Sequence, residues 1–301
     1  RGSIKTYQIN NGTLKQLGSE IQNNGYNYQG FSLSLSNDGS VLAASALSGS
    51  EQIVRVFNLV NGEWKQIGSD VKEDSSFSFH GYSISLSADG SVLAVGAFWE
   101  DDNNLGDNDG RVKIYKIEND LISQVGNNID GEISDYFGFS VSLSGDGEIV
   151  AISSPGPGYV KVFKNNDGSW NQLGSNLIAK ESDYYSKSLS VDISSNGKYV
   201  VIGNPAYDDD KGQIKVFKYV NDNWEQVGAD INGYTLNKLG DRVQISSDGI
   251  TVAASGNKSG TNGYAKIYKF FNDEWTSYKE ENISEEDYFY GGRSINLSDD
   301  G

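Results

Sequence analysis

Apolar residues and serines alternate through the middle of the chain. Residues 137–155 read FGFSVSLSGDGEIVAISSP: a period-two run, a tight Asp-Gly turn, then small and β-branched positions. Alternation on both sides of an Asp-Gly pair predicts a β-hairpin. The unit returns as GFSLSLSNDGSVLAASA at 30–46 and GYSISLSADGSVLAVGA at 81–97, more loosely at 187–204 and 240–256, and as the half-copy GRSINLSDDG ending at Gly301. The turn glycines Gly39, Gly90, Gly147, Gly197, Gly249 and Gly301 therefore mark a repeat of 50 to 57 residues.

Two more strands follow each hairpin. In the first full copy the pattern predicts strand A at 31–36, B at 41–46, C at 53–60 and D at 63–68. Strand C alternates charge with bulk, as in VRVFNL, VKIYKI and IKVFKY. Strand D reads WKQIG, WNQLG and WEQVG from Trp64, Trp170 and Trp224. In these the Trp, Gln and Gly lie two apart and share one face, a structural pattern in which the Gln amide can satisfy a loop backbone group. Four antiparallel strands per repeat, with no helices between, predict an all-β fold, a β-propeller of four-stranded antiparallel blades. Serine in strand A and alanine or glycine in strand B suit the crowded inner strands. A parallel β-helix is the competitor, but its repeats are shorter and lack hairpin turns. Residues 1–301 are read as one propeller domain of five complete blades and one split between the ends, without its strand B. Closing that blade gives six.

The repeat grammar resembles the FG-GAP repeat of integrin-α-type propellers. Phe137, Gly138, Ser140 and Val141 match its strand A, and Val95-Gly96-Ala97, Ile152-Ser153-Ser154-Pro155 and Ile202-Gly203-Asn204-Pro205 match the end of its strand B. The resemblance implies seven blades, which needs more chain at either end; six is the preferred count. It also implies a calcium loop, DxDxDG, between strands A and B. Here two-residue turns stand in its place, so those calcium sites do not carry over.

Composition narrows the chemistry. The 301 residues carry a net charge of −17. That argues against nucleic acid, whose phosphates call for basic contacts. No apolar run is long enough to insert in a membrane. With no cysteine there is no disulfide and no thiolate site. The single histidine, His80, leaves no material for a histidine triad or a multi-histidine metal centre. The chain starts on Arg1 and stops on a turn glycine, as a piece of a longer protein would.

Up-and-down strands sort the loops by face. The A–B and C–D turns form a uniform rim, while the B–C loops and D–A crossovers form a variable one, where binding sites are expected. That face is acidic. Its longest B–C loop, residues 98–110, holds Glu100, Asp101, Asp102, Asp107 and Asp109, and another holds Asp208, Asp209 and Asp210. Carboxylates spaced by Asn and Gly suit calcium, although no cofactor is required and a solvated acidic loop is the preferred reading. The crossovers carry Tyr136, Tyr184 and Tyr288, which could meet a ligand, but whose recurrence at one place in most repeats favours packing between blades. Trp99 and Tyr207 stand in individual B–C loops and are the better ligand candidates. Asp241 and Arg242 replace the aromatic that heads strand A elsewhere, and an ion pair there is the simpler reading.

These features lead to a non-catalytic propeller, extracellular or on a cell or virion surface, acting as an adhesion-type structural or protein-interaction module. A glycan-binding lectin-like propeller is the first alternative and a polysaccharide hydrolase the second. The partner, protein or glycan, is expected on the B–C and D–A face, with self-assembly through blade edges as a further option.

Overall fold

The structure is a computed structural model describing residues 2–22, 29–48, 51–72, 78–100, 108–179, 188–257, 263–282, 294–298 and 300–301. In chain order, β1 (Ser3–Asn10) and β2 (Thr13–Gln22) form a two-stranded sheet. The first full blade is β3 (Gln29–Leu35), β4 (Val41–Ser48), β5 (Glu51–Val60) and β6 (Glu63–Lys72). The second is β7 (Ser83–Leu86), β8 (Val92–Ala97), β9 (Arg111–Glu118), β10 (Leu121–Gln124) and the short β11 (Ile129–Asp130). The third is β12 (Val141–Leu143), β13 (Ile149–Ser154), β14 (Tyr159–Asn166), β15 (Ser169–Gln172) and β16 (Leu177–Ile178). The fourth is β17 (Ser190–Ile193), β18 (Tyr199–Asn204), β19 (Gln213–Val220), β20 (Asn223–Gln226) and β21 (Ile231–Asn232). The fifth is β22 (Arg242–Ile245), β23 (Thr251–Asn257), β24 (Gly263–Phe271) and β25 (Glu274–Asn282). Every pairing within these sheets is antiparallel. The fold is a β-propeller. Among the described residues no helix is long and apolar enough to cross a membrane.

The outer strand departs from the expected one. In blades two to four strand D stops two residues before its glycine, and a separate two-residue strand then pairs back onto strand C: β11 on β9, β16 on β14, β21 on β19. The glycine turns the chain with a φ of +72° at Gly126 and +73° at Gly174, a region in which L side chains are strained.

The core lies between blades rather than within them. One apolar cluster joins Val54, Val56 and Ile67 of blade one to Ile84, Leu86 and Leu93 of blade two. Others join blades two and three, three and four, and four and five in the same way. A sheet with two apolar faces is stable only between neighbours, so the repeats stabilise one another.

Polar side chains tie the blades at two radii. On the inside, the Ser34 Oγ accepts the Leu86 N–H at 2.9 Å, and Ser85 takes Leu143 and Ser142 takes Ile193 in turn. Asp192 continues this belt: its carboxylate accepts the Ile245 N–H at 2.8 Å and the Ser142 hydroxyl at 2.7 Å. Strand A is an edge strand with unpaired N–H groups, and serine satisfies them across the blade gap. On the outside, the Trp224 Nε1–H donates to the Leu173 carbonyl and that of Trp275 to Val227, each across a blade boundary. Each Gln closes its own turn, as Gln172 does by donating to the Gly174 carbonyl at 3.2 Å. The S-x-D-G turns are Asx turns: the Asp89 carboxylate accepts the Ser87 hydroxyl and the Ser91 N–H, and the Ser87 Oγ accepts the Val92 N–H.

Candidate functional site

Strands A of successive blades adjoin at the centre, so the residues heading them line the mouth of the channel on the B–C and D–A face. In blades one to three these are Phe31, Tyr82 and Phe139, with ring centroids 5.2 Å and 5.0 Å apart in succession. The B–C loop of blade two adds Phe98, 4.5 Å edge-on from Tyr82 and 5.3 Å from Phe139. Phe79 from the preceding crossover lies between Phe98 and Trp99, stacked on the indole at 5.4 Å with the planes 23° apart. Trp99 is therefore part of one continuous array and not the isolated loop aromatic expected from its position. Trp99 and Phe31 each keep 47% of their surface exposed, which leaves apolar ring surface at the mouth. On the fifth blade the equivalent residue is Asp241, and the neighbouring Arg242 donates to its carbonyl at 2.6 Å and stands 3.9 Å from its carboxylate.

Next to this array the end of the long B–C loop meets the following crossover. The Tyr136 N–H donates to the Asn108 carbonyl and the Phe137 N–H to that of Asp109, both at 3.1 Å. Arg111 pairs with Asp130 at 2.6 Å and with the buried Glu100 at 3.6 Å. In the same crossover Asp135 is 4% exposed. Its Oδ2 accepts the Tyr159 hydroxyl at 2.8 Å and the Glu132 N–H at 3.0 Å. Lys161 lies 5.1 Å over the Tyr159 ring and 3.3 Å from the Glu132 carboxylate. Burial raises the Asp135 carboxyl above its usual range and outweighs the hydrogen bonds that favour its charge. Burial and the adjacent Asp135 likewise push the Tyr159 hydroxyl up.

His80 is structural. It takes the crossover position held by Phe137 and Leu239 in blades three and five, is buried, and its N–H donates to Gln52 at 2.7 Å. Burial, with Lys113 as a smaller cause, lowers its imidazole to about 3, so it is neutral.

Of the residues read as candidates in the sequence, Asp101, Asp102, Asp107, Tyr184 and Tyr288 lie outside the described residues. Asp109 and the half-buried Tyr136 lie on the two segments that the contacts above join, Asp109 through Phe137 and Tyr136 through Asn108. Tyr207 opens a tight turn, Tyr207–Asp210, in which Asp208, Asp209 and Asp210 all have positive φ. Asp208 pairs with Lys211 at 2.5 Å and Asp210 with Lys238 at 3.4 Å, so two of the three carboxylates face lysines. Among the described residues no group of three or more acidic or histidine side chains is arranged to hold a metal ion. The pair Asp135–Tyr159 is not legible in the sequence: other copies carry Ser78 and Asn237 at the position of Asp135, and nothing in the pattern flags it.

No family model and no curated protein matches the chain. Solved structures do. The periplasmic gluconolactonase PpgL of Pseudomonas aeruginosa is similar at a TM-score of 0.62 and 16% identity, over 93% of this chain and 77% of that one. A candidate 6-phosphogluconolactonase of Bacteroides uniformis is similar at 0.55 and 14%, over 92% of both chains. The Cps50 (Swd1) propeller domain of Myceliophteria thermophila is similar at 0.57 and 13%, over 93% and 79%. These likenesses show the fold. They also correct the expectation of a non-catalytic adhesion module: proteins named as lactonases share this propeller across nine-tenths of the chain, so a missing histidine triad does not argue against an enzyme on it.

Proposed function

We propose that the chain is a hydrolase of a sugar-derived ring ester, a lactone, held at the channel mouth. The observation that carries this reading is an exposed aromatic array at the mouth together with a buried carboxyl group of raised pKa, Asp135, in the crossover that leads to Phe139 of that array. Aromatic faces bind the C–H faces of a sugar ring, and Phe31, Tyr82, Phe139 and Trp99 supply such a surface. Lactone opening adds water to the carbonyl carbon and breaks the ring C–O bond. One group takes a proton from the water and returns one to the leaving ring oxygen. A carboxyl group with a raised pKa is suited to both steps. Asp135 is that group, Tyr159 orients it, and Lys161, over the Tyr159 ring, supplies positive charge for the oxyanion. A net charge of −17 repels phosphorylated substrates, so an uncharged sugar lactone is the preferred class.

The test is hydrolysis of δ-gluconolactone followed by acid release. Turnover above the buffer rate is expected, with Asp135→Asn lowering kcat by about 100-fold or more. Phe139→Ala is expected to raise KM with kcat largely kept. Wild-type protein no faster than buffer on uncharged lactones overturns the proposal.

A further inference from the structure

Around the mouth the first three blades present rings, and the fifth presents charge. Phe31, Tyr82 and Phe139 head strand A in blades one to three, and Asp241 takes that place in blade five with Arg242 beside it. Strand β22 adjoins β17, and β17 adjoins β12, so the charged pair and the aromatic array belong to one rim. Asp241 keeps 31% of its side-chain surface open and Arg242 41%. Their hold on each other is loose. The guanidinium stands 3.9 Å from the carboxylate, beyond hydrogen-bond length, and donates to the Asp241 carbonyl through Nη1 alone among the described residues. The carboxylate oxygens and the other guanidinium N–H groups keep hydrogen-bonding capacity. The strand behind them departs from the repeat. In blades one and three the Ser45 and Ser153 Oγ accept the strand A N–H of Ser32 and Ser140 at 3.0 and 2.9 Å. Ser255 holds the same place opposite Arg242, but its buried hydroxyl has no partner among the described residues. The Asp241 N–H donates to the Ser255 carbonyl at 3.1 Å. Blade five thus forgoes a hydrogen bond that its copies make, at the position where the charged pair stands. Breaks of a local rule of this kind concentrate at functional sites.

We propose that Asp241 and Arg242 make the mouth select a polyhydroxylated ring over an unsubstituted ring of the same size. The ring carbons lie against the aromatic array and the hydroxyls against the pair. The inference deepens the lactone reading above and rests on it for the place of the ring. A carboxylate accepts from hydroxyls and a guanidinium donates to them, so the two side by side engage neighbouring hydroxyls in both directions. The pair is neutral as a whole, which suits hydroxyls rather than an anion or a cation. An alkyl ring in the same place displaces water from both groups and returns no hydrogen bond, and that loss is the discrimination.

The experiment titrates the full chain by calorimetry with two ring amides that resist hydrolysis, glucono-δ-lactam and δ-valerolactam. Wild type is expected to bind glucono-δ-lactam at least about tenfold tighter than δ-valerolactam. Asp241→Ala and Arg242→Ala are each expected to reduce that preference about tenfold. Asp241→Asn, which keeps the size of the side chain but not its charge, should reduce it by less. Far-UV circular dichroism establishes that the variants fold. Turnover of δ-gluconolactone against δ-valerolactone is read alongside and should show the same loss of preference. Equal affinity of wild type for both lactams, binding of neither, or a preference unchanged in Asp241→Ala and Arg242→Ala overturns the proposal. Selective lactam binding without turnover of either lactone supports it and overturns the hydrolase reading alone.

Discussion

Replacing His80 with leucine, the residue at the same crossover position in blade five, tests whether this histidine is held neutral by burial. The folded imidazole titrates at about 3 against 6.5 when exposed. Its folded pKa is depressed, so the native state binds fewer protons than the unfolded chain. Stability is full above pH 6.5 and falls as the pH drops toward 3. With about 1.4 kcal/mol per pH unit, this histidine alone removes about 2 kcal/mol between pH 8 and pH 5. By pH 3 the loss is on the order of 5 kcal/mol. Leucine carries no titrating group, so the variant should lack that part of the slope. The assay is urea unfolding of wild type and His80→Leu at pH 8, 6.5 and 5, reading the difference in midpoint at constant m-value. A difference that grows by about 2 kcal/mol from pH 8 to pH 5 supports the reasoning. Equal pH dependence in the two proteins would refute it, whatever the cost of the substitution at pH 8.

Gly174 has a φ of +73°, and a Cβ there would lie 2.7 Å from Trp224 Cδ1, whereas Gly168, at +89°, has open space. Gly168→Ala is expected to cost the backbone strain of about 1–2 kcal/mol, and Gly174→Ala about 1–3 kcal/mol more in unfolding experiments; equal costs would mean that the indole does not set the glycine. Asp192→Ala leaves the Ile245 N–H and the Ser142 hydroxyl short of an acceptor and is expected to destabilise by about 2–3 kcal/mol. Asp192→Ser, which restores the residue of the other belts, should stay within about 1 kcal/mol of wild type. Faster amide exchange at Ile245 in the alanine variant alone would accompany this, and unchanged exchange would count against the belt. Asp135 has a raised folded pKa, so the native state keeps its proton above 3.8 and loses relative stability as the pH rises through that value. Unfolding of Asp135→Asn at pH 3 and pH 7 should therefore show the variant gaining on wild type at the higher pH, and a pH-independent difference would exclude a buried, proton-favouring carboxyl.

The blade was legible because each of its strands carries its own period, and every A–B turn its own Asp-Gly or Asn-Gly. What each serine or glycine does was not. Serine in strand A reads as small and fit for a crowded centre, yet its hydroxyl accepts an N–H from the neighbouring blade. The Trp, Gln and Gly of strand D read as one face of one strand, and the Gln–Gly contact does close within the blade. The tryptophan instead packs on the glycine of the preceding blade, about fifty residues earlier, as Trp224 does on Gly174. The acidic loops drew attention by their charge density. The carboxyl with perturbed chemistry, Asp135, belongs to no such run and is perturbed by burial, which no local pattern records.

The sequence by itself therefore determined the hairpins, the repeat and the propeller, since alternation, turn chemistry and repeat length are local properties that recur from copy to copy. Only the tertiary structure decided which aromatics join into one array and which carboxyl is buried against a tyrosine. Those outcomes depend on the gap between neighbouring blades, where residues about fifty positions apart meet and where desolvation and cross-blade hydrogen bonds act.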